Sequence, residues 1–266
     1  MQDQLSIEAF DLVSDFFFEA SGIRLKRDKK PLVTGRLARR AAVMGCSLDE
    51  YAQRVIDNPN DAEAFILTDL LTTNETYFFR EHQHFEHLVT AVRASAANPF
   101  RVWSGASSSG EEAYTTAMVL ARTAGTRQWE IVGTDLSGRM VQQAQAGLYV
   151  AERCTKVPLD DLKRWCMKGE GKYQGYVLVR KELRHKVRFV QANLMEPQDN
   201  LGKFDVIFLR NVLIYFEGKA KASVVHNVIR NLKKGGYFYT GHAESLQGID
   251  HGLARISPAV YQKITG

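Results

Sequence analysis

Residues Val102 to Asp135 constrain this chain more than any other stretch. They run Val-Trp-Ser-Gly-Ala-Ser-Ser-Ser-Gly-Glu-Glu, then an apolar helical segment, then Glu130-Ile-Val-Gly-Thr-Asp135. An extended apolar run that enters a Gly/Ser turn, then a helix, then a second strand ending in an acid predicts the opening β-α-β of a nucleotide-binding sheet. Asp135 lies 25 positions beyond Gly110, which suits a carboxylate held at a strand tip to accept hydrogen bonds from a ribose diol. As an isolated residue it would equally cap the helix that follows it.

The pattern on either side of that stretch differs. Residues 1–93 show helical periodicity. Ile7, Phe10, Leu12, Val13, Phe16 and Phe17 predict one apolar stripe, and Leu32, Val33, Leu37, Ala41 and Met44 a second that begins near Pro31. Ser47-Leu-Asp-Glu50 reads as a capping box opening a third helix, and a fourth follows the Asn58-Pro-Asn-Asp61 turn. This predicts a helical N-terminal domain with a linker reaching about residue 99. From residue 100 to 266 strands alternate with helices, the signature of a parallel sheet covered on both faces. Strands are expected at 101–104, 130–134, 187–191, 204–209 and 236–241, with an antiparallel closing strand at 259–263. The segment 155–186 is too long for one crossover helix and predicts a small β insertion on the rim of the sheet.

With 45% apolar and 24% charged residues, the chain has the composition of a soluble globular protein. The start Met1-Gln2-Asp3-Gln4 lacks a basic, apolar leader, and three widely spaced cysteines point to a reduced, cytoplasmic compartment. Of the net charge of +5, Arg24 to Arg40 alone contribute +7, with eight basic residues against Asp28. Basic excess confined to one segment suits either docking on an acidic partner or a solvated helix face.

Only two glycines flank the turn 105–110, and it is not G-x-G-x-x-G, so it makes a poor pyrophosphate cradle. It suits a cofactor with a sulfonium and a free amino group, such as S-adenosylmethionine. Ser109 and Glu112 also have capping-box spacing, which is compatible with a cofactor contact by Glu112. Arg210 and Asn211 interrupt an apolar run from Val206 to Phe216, where they would be costly unless they face a site. Asn193-Leu194 follow a strand at the position of an adenine edge. The segment Thr72 to Glu81 joins the two halves, and its Arg80 could pair with a carboxylate of cofactor, substrate or a neighbouring domain. His82, His84 and His87 tempt a metal assignment, but His82 and His84 fall on different helix faces and no acid or cysteine completes a set nearby, so no metal is expected.

Together, Thr73-Asn-Glu-Thr-Tyr-Phe-Phe-Arg-Glu81, Val102-Trp-Ser104, Gly110-Glu-Glu-Ala-Tyr114, Gly133-Thr-Asp135, Phe208-Leu-Arg-Asn-Val-Leu-Ile-Tyr-Phe216 and Gly241-His-Ala-Glu-Ser245 resemble the chemotaxis receptor glutamate O-methyltransferases, the CheR family. The resemblance spans almost the whole chain. It implies a class I S-adenosylmethionine-dependent methyltransferase (Rossmann-like) α/β sheet, a small all-α N-terminal domain and an inserted antiparallel β-subdomain. It implies methyl transfer from S-adenosyl-L-methionine to glutamate side chains on the cytoplasmic domains of chemoreceptors, with S-adenosyl-L-homocysteine as product. By position, Asn74, Thr76, Arg80, Glu112, Asp135, Asn193, Leu194, Arg210 and Asn211 would contact the cofactor, and Arg80 and Tyr215 would lie beside the transferred methyl. Arg36, Arg39 and Arg40 would dock the receptor. The loop Lys168–Gly175 resembles, in length and glycine placement, relatives whose β-subdomain takes up a receptor C-terminal pentapeptide. The chain would act as a monomer, without nucleic acid or membrane insertion.

Two other classes remain to be weighed. A nucleic-acid methyltransferase would fit the basic charge, but Arg210-Asn211-Val212-Leu213 lacks the Asp/Asn-Pro-Pro-aromatic pattern of amino-methylating enzymes, and no cysteine follows a proline. A non-catalytic module that only senses the cofactor would not need Asn74, Arg80 and Tyr215 intact.

Overall fold

A computed structural model of the chain describes residues 4–264; Met1–Asp3, which belong to the start that lacks a leader pattern, lie outside the described residues. The chain forms two compact units. One runs to Thr73 and includes Tyr215–Lys221; the other holds Asn74–Ile214 and the chain from Ala222 onward.

The first unit contains α1 (Ile7–Ser21), α2 (Lys30–Met44), α3 (Leu48–Asp57) and α4 (Ala62–Leu71). Its core draws Phe10, Val13 and Phe17 from α1, Val33, Leu37 and Ala41 from α2, Tyr51 and Val55 from α3 and Leu67 and Leu71 from α4. These positions follow the three-to-four-residue spacing of one helix face. Leu12 and Leu32, expected inside, are 42% and 44% exposed, because each is one step of helical rotation away from its stripe. The capping box at the start of α3 forms: Ser47 accepts from the backbone of Glu50 at 3.2 Å and the Glu50 carboxylate accepts from the Ser47 backbone at 2.8 Å. Such a cap contributes about 1 kcal/mol.

The second unit opens with α5 (Gln83–Ala94) and continues β1 (Phe100–Gly105), α6 (Glu111–Thr123), β2 (Trp129–Asp135) and α7 (Gly138–Ala146). Then come β3 (Leu148–Val150), α8 (Leu159–Trp165), β4 (Cys166–Lys168), β5 (Tyr176–Val179), α9 (Lys181–Arg184), β6 (Val187–Gln191) and β7 (Phe204–Leu209). After α10 (Gly218–Ile229), β8 (Leu232–Thr240), β9 (Ala254–Ser257) and β10 (Val260–Gln262) complete the chain. Phe85, Leu88 and Val92 of α5 belong to the core of the sheet, so the division falls at Thr73/Asn74 and not near residue 93. Helical periodicity identifies an apolar face but not which core that face joins.

The large sheet has the order β6-β2-β1-β7-β8-β10-β9. From β6 to β8 the pairs are parallel, and β10 pairs antiparallel with both β8 and β9. β7 is an almost continuous buried apolar run, as a parallel strand covered on both faces must be. The insertion is a separate antiparallel sheet, β3-β5-β4. It begins at Leu148, earlier than the predicted 155, because the three-residue β3 is too short to show a period in sequence. No helix among the described residues is long and apolar enough to cross a membrane.

Candidate active site

The strand order reverses between β1 and β7, and in open α/β sheets ligands bind outside the carboxyl ends of the strands at such a point. The turn 105–110 lies there. Gly110 caps α6 with φ +94°, and a Cβ on it would come within 2.9 Å of the Ala144 Cβ, so only glycine fits. The capping box expected from Ser109 and Glu112 does not form. The Ser109 hydroxyl donates instead to Glu111 at 2.8 Å, and α6 starts one residue later than that motif requires. Glu112 is thereby released to face the strand ends, where it accepts from the Ser104 hydroxyl at 2.7 Å and from Arg210 at 2.9 Å.

Arg210 follows β7, and its side chain is 1% exposed. Besides Glu112 it donates to Glu81 at 3.0 and 3.3 Å and to the Arg80 carbonyl. Its charge therefore sits between two carboxylates. Burial pushes Glu112 up from its ordinary value, against the attraction of Arg210. Glu81 is also opposed by burial, but Arg210, the Asn211 amide and the His242 backbone together hold it below its ordinary value. Glu81 accepts from Asn211 at 3.2 Å and from the His242 N–H at 3.3 Å, so one carboxylate ties three loops.

Asp135, at the tip of β2, accepts from the backbone of Ser108 at 2.8 Å and of Ser137 at 2.9 Å. The cap of α7 is Ser137 itself. Ser108 also donates to the Asn74 carbonyl at 2.9 Å, bringing Asn74 and Asp135 onto one turn residue. Arg153, from the insertion, donates to the Thr76 carbonyl at 3.2 Å and to Ser109 at 3.0 Å, and pairs with the fully buried Glu111. Leu194 is buried and borders Gly105; Asn193 accepts from the backbone of Met195 at 3.0 Å.

Backbone strain gathers at the same place. Phe79, Glu81, Ala106, Ser108 and Asn211 all have φ between +49° and +59°; among the described residues the one other non-glycine of this kind is Ala259. Each costs about 1–2 kcal/mol unless, like Asn, it tolerates the left-handed region. Glu244 holds the last of them: its carboxylate accepts from the N–H groups of Asn211 at 2.8 Å, Ile214 at 3.3 Å and Gly241 at 2.6 Å.

Arg80 donates to the Glu75 carbonyl at 3.0 Å and lies over the Tyr77 ring, and among the described residues it forms no ion pair. Tyr215 ends the turn Leu213–Tyr215 and groups with the helical unit. In that unit Arg36 donates to the Leu71 carbonyl at 2.7 Å, and Arg40 makes two 2.6 Å bonds to Glu63, which also accepts from Tyr51. Arg39 is exposed, with no hydrogen bond or ion pair among the described residues.

The histidines arrange themselves differently from their sequence spacing. His84 does find an acid and a second histidine: Glu81, His84 and His242 bring one ligand atom each within 4.8 Å of one another. His82 and His87 take no part, and His87 bonds the Tyr239 hydroxyl at 2.7 Å. His242 is 158 positions from His84, beyond any local spacing rule. Sequence reasoning also misses Glu81, Ser104, Glu111, Arg153 and Glu244; the visible signal is the acid directly after Arg80 and the Glu111-Glu112 pair at a helix start.

The sequence matches the CheR methyltransferase SAM binding domain over residues 74–261 and the CheR methyltransferase all-alpha domain over 8–72. It is 34% identical over 261 residues to the chemotaxis protein methyltransferase of Escherichia coli K12, covering 97% of this chain and 91% of that one. The Salmonella typhimurium protein of the same name is 33% identical over 97% of this chain and 90% of its own. Chemotaxis protein methyltransferase 2 of Pseudomonas aeruginosa is 34% identical over 96% and 92%. With both domains matched, in order and over nearly the full length, the chain belongs to the CheR family of S-adenosylmethionine-binding methyltransferases.

Proposed function

We propose that this chain methylates glutamate side chains on the cytoplasmic domains of chemoreceptors, forming glutamate methyl esters and S-adenosylhomocysteine. One observation carries the reading. At the carboxyl ends of β1 and β7, Arg210 is shared by Glu81 and Glu112, while the Arg80 guanidinium has no carboxylate partner among the described residues. A spare cation at a strand-end site suits recruitment of an ionised carboxylate.

The donor set also fits the cofactor. Asp135 stands at the tip of β2 beside the turn 105–110, whose Ser108 backbone it accepts from, and Leu194, after β6, borders Gly105 and would lie with Asn193 at the adenine edge. Asn74, Thr76, Glu112, Arg210 and Asn211 complete the proposed contacts. When bound, S-adenosylmethionine supplies an electrophilic methyl on sulfur: the acceptor oxygen forms the new bond to carbon, and sulfur leaves with the old bonding pair. An ionised carboxylate is already nucleophilic, so no general base is needed, and alignment decides the rate. Arg80 and Tyr215 are the proposed aligning pair.

The receptor is proposed to dock on the basic face of α2 through Arg36, Arg39 and Arg40. Arg39 is the most available of these, since Arg40 is engaged by Glu63 and Arg36 by the end of α4. A receptor C-terminal pentapeptide is proposed to add as a strand to the β3-β5-β4 sheet; calorimetric titration of such a peptide tests this, and no heat would exclude the tether. The activity itself is tested by tritiated-methyl transfer to receptor-containing membranes, followed by base. Release of volatile methanol identifies a carboxyl ester, whereas base-stable label would point to nitrogen methylation and absence of label to a sensing module.

A further inference from the structure

The imidazoles of His84 and His242 have no part in the chemistry above, yet they meet. His84, the second residue of α5, is 1% exposed, and neither ring nitrogen has a hydrogen-bond partner among the described residues. Its ring stands edge-on to Tyr239 at 5.5 Å and to His242 at 4.7 Å. A buried imidazole that satisfies neither nitrogen costs the desolvation of both, typically 1–3 kcal/mol per group. The folded chain tolerates that cost three residues from Glu81, which lies in the turn that leads into α5.

Distances fit an ion better than a hydrogen bond. His84 Nδ1 lies 3.4 Å from Glu81 Oε2 without hydrogen-bond geometry. Two ligands of a tetrahedral ion bound at 2.0–2.1 Å stand roughly 3.3–3.4 Å apart. His242 supplies the third ligand from an exposed loop, where its ring can rotate, and all three donor atoms already fall within 4.8 Å. Two imidazoles and one carboxylate with a fourth position open favour zinc or a similar borderline ion over magnesium or calcium.

We propose that Glu81, His84 and His242 form a binding site for a zinc-class divalent ion, and that its occupancy opposes methyl transfer by drawing Glu81 away from Arg210. The second half rests on the role given above to Arg210. Glu81 Oε2 is the oxygen nearest both His84 and the Arg210 guanidinium, so ion and arginine compete for it. By linkage, whatever the ion takes from cofactor affinity, bound cofactor takes from ion affinity.

The test uses the full chain without a histidine tag. Cobalt(II) titration should give the visible bands of a tetrahedral site without thiolate charge-transfer absorption, at one ion per chain. His242→Ala, which removes an exposed ring, should lose those bands and weaken cobalt binding at least tenfold. His84→Gln should do the same with an unchanged circular dichroism spectrum. Zinc should inhibit methyl transfer by the wild-type chain, and His242→Ala should need at least tenfold more. Absence of the bands, or equal cobalt affinity in His242→Ala, overturns the site. Bands lost in His242→Ala alongside zinc-insensitive wild-type turnover overturn the inhibitory role. Because cobalt binding is read without substrate, it is decided even if receptor methylation itself fails.

Discussion

Replacing Arg210 with Gln should expose how the buried charges at the strand ends are balanced. Without the guanidinium, Glu112 keeps the Ser104 hydroxyl, and Glu81 keeps the Asn211 amide and the His242 N–H. Glu112 has the least left, so it is the acid that must take up a proton to stay buried. That uptake costs about 1.4 kcal/mol for each pH unit above its ordinary value near 4.3, or about 3.7 kcal/mol near pH 7 and about 1 kcal/mol near pH 5. Because Glu112 is already held high in the wild type, these figures are ceilings on the difference between variant and wild type, and the first falls in the range of about 3–5 kcal/mol for breaking a buried pair. In the wild type the two acids oppose one another. Glu81, held low, contributes stability present above its unfolded value and lost as pH falls through its folded value; Glu112, held high, is relieved as pH falls. The difference between variant and wild type should therefore shrink on acidification. Urea unfolding followed by tryptophan fluorescence measures it, since Trp103, Trp129 and Trp165 are the only tryptophans and all lie in the sheet unit. A deficit below about 1 kcal/mol near pH 7, or one that does not change by pH 5, would refute the charge argument.

Gly110→Ala should destabilise the sheet unit by about 2 kcal/mol or more, from left-handed backbone and the 2.9 Å approach to Ala144, read in the same unfolding assay. Arg39→Glu should raise the apparent receptor KM and flatten its salt dependence without moving the melting temperature, whereas Arg40→Glu should lower the melting temperature because it opposes Glu63; identical behaviour of the two would remove the docking face. Arg80→Ala should cut kcat/KM on the order of 10²-fold through lost alignment, with Tyr215→Phe less severe, measured by methyl transfer; wild-type turnover in both with unchanged cofactor affinity would end their assignment.

The fold is legible where period and punctuation agree. Five parallel strands and the antiparallel closing strand follow from apolar runs bounded by turns, and the Ser47 capping box is visible as a four-residue pattern. What stays hidden is what local pattern does not encode. β3 and β9 are too short to show alternation, the core joined by α5 is a matter of tertiary packing, and Leu12 and Leu32 are apolar residues that fold outward.

The site divides along the same physical line, and Glu81 shows why. Residues whose roles rest on strand position, such as Asp135 at the tip of β2 or Arg210 after β7, can be found from sequence because the sheet puts strand ends together. Glu81 is instead defined by partners 129, 130 and 161 positions away, and by a φ of +55° that carries its side chain toward them. No spacing rule announces such a carboxylate. Its place follows from charge accounting: a buried guanidinium after β7 demands more than one acceptor, and Glu112, also bound to Ser104, together with the Arg80 carbonyl leaves Nε unpaired and the buried charge facing one shared carboxylate. The burial of Arg210 thus favours a further acceptor, best an acid, close to the strand end. The acid directly after Arg80 is the candidate in a segment already marked by its polar and aromatic residues. Arg210 inside an apolar run is therefore the better sequence clue to the site than the turn 105–110, because its burial dictates what must surround it.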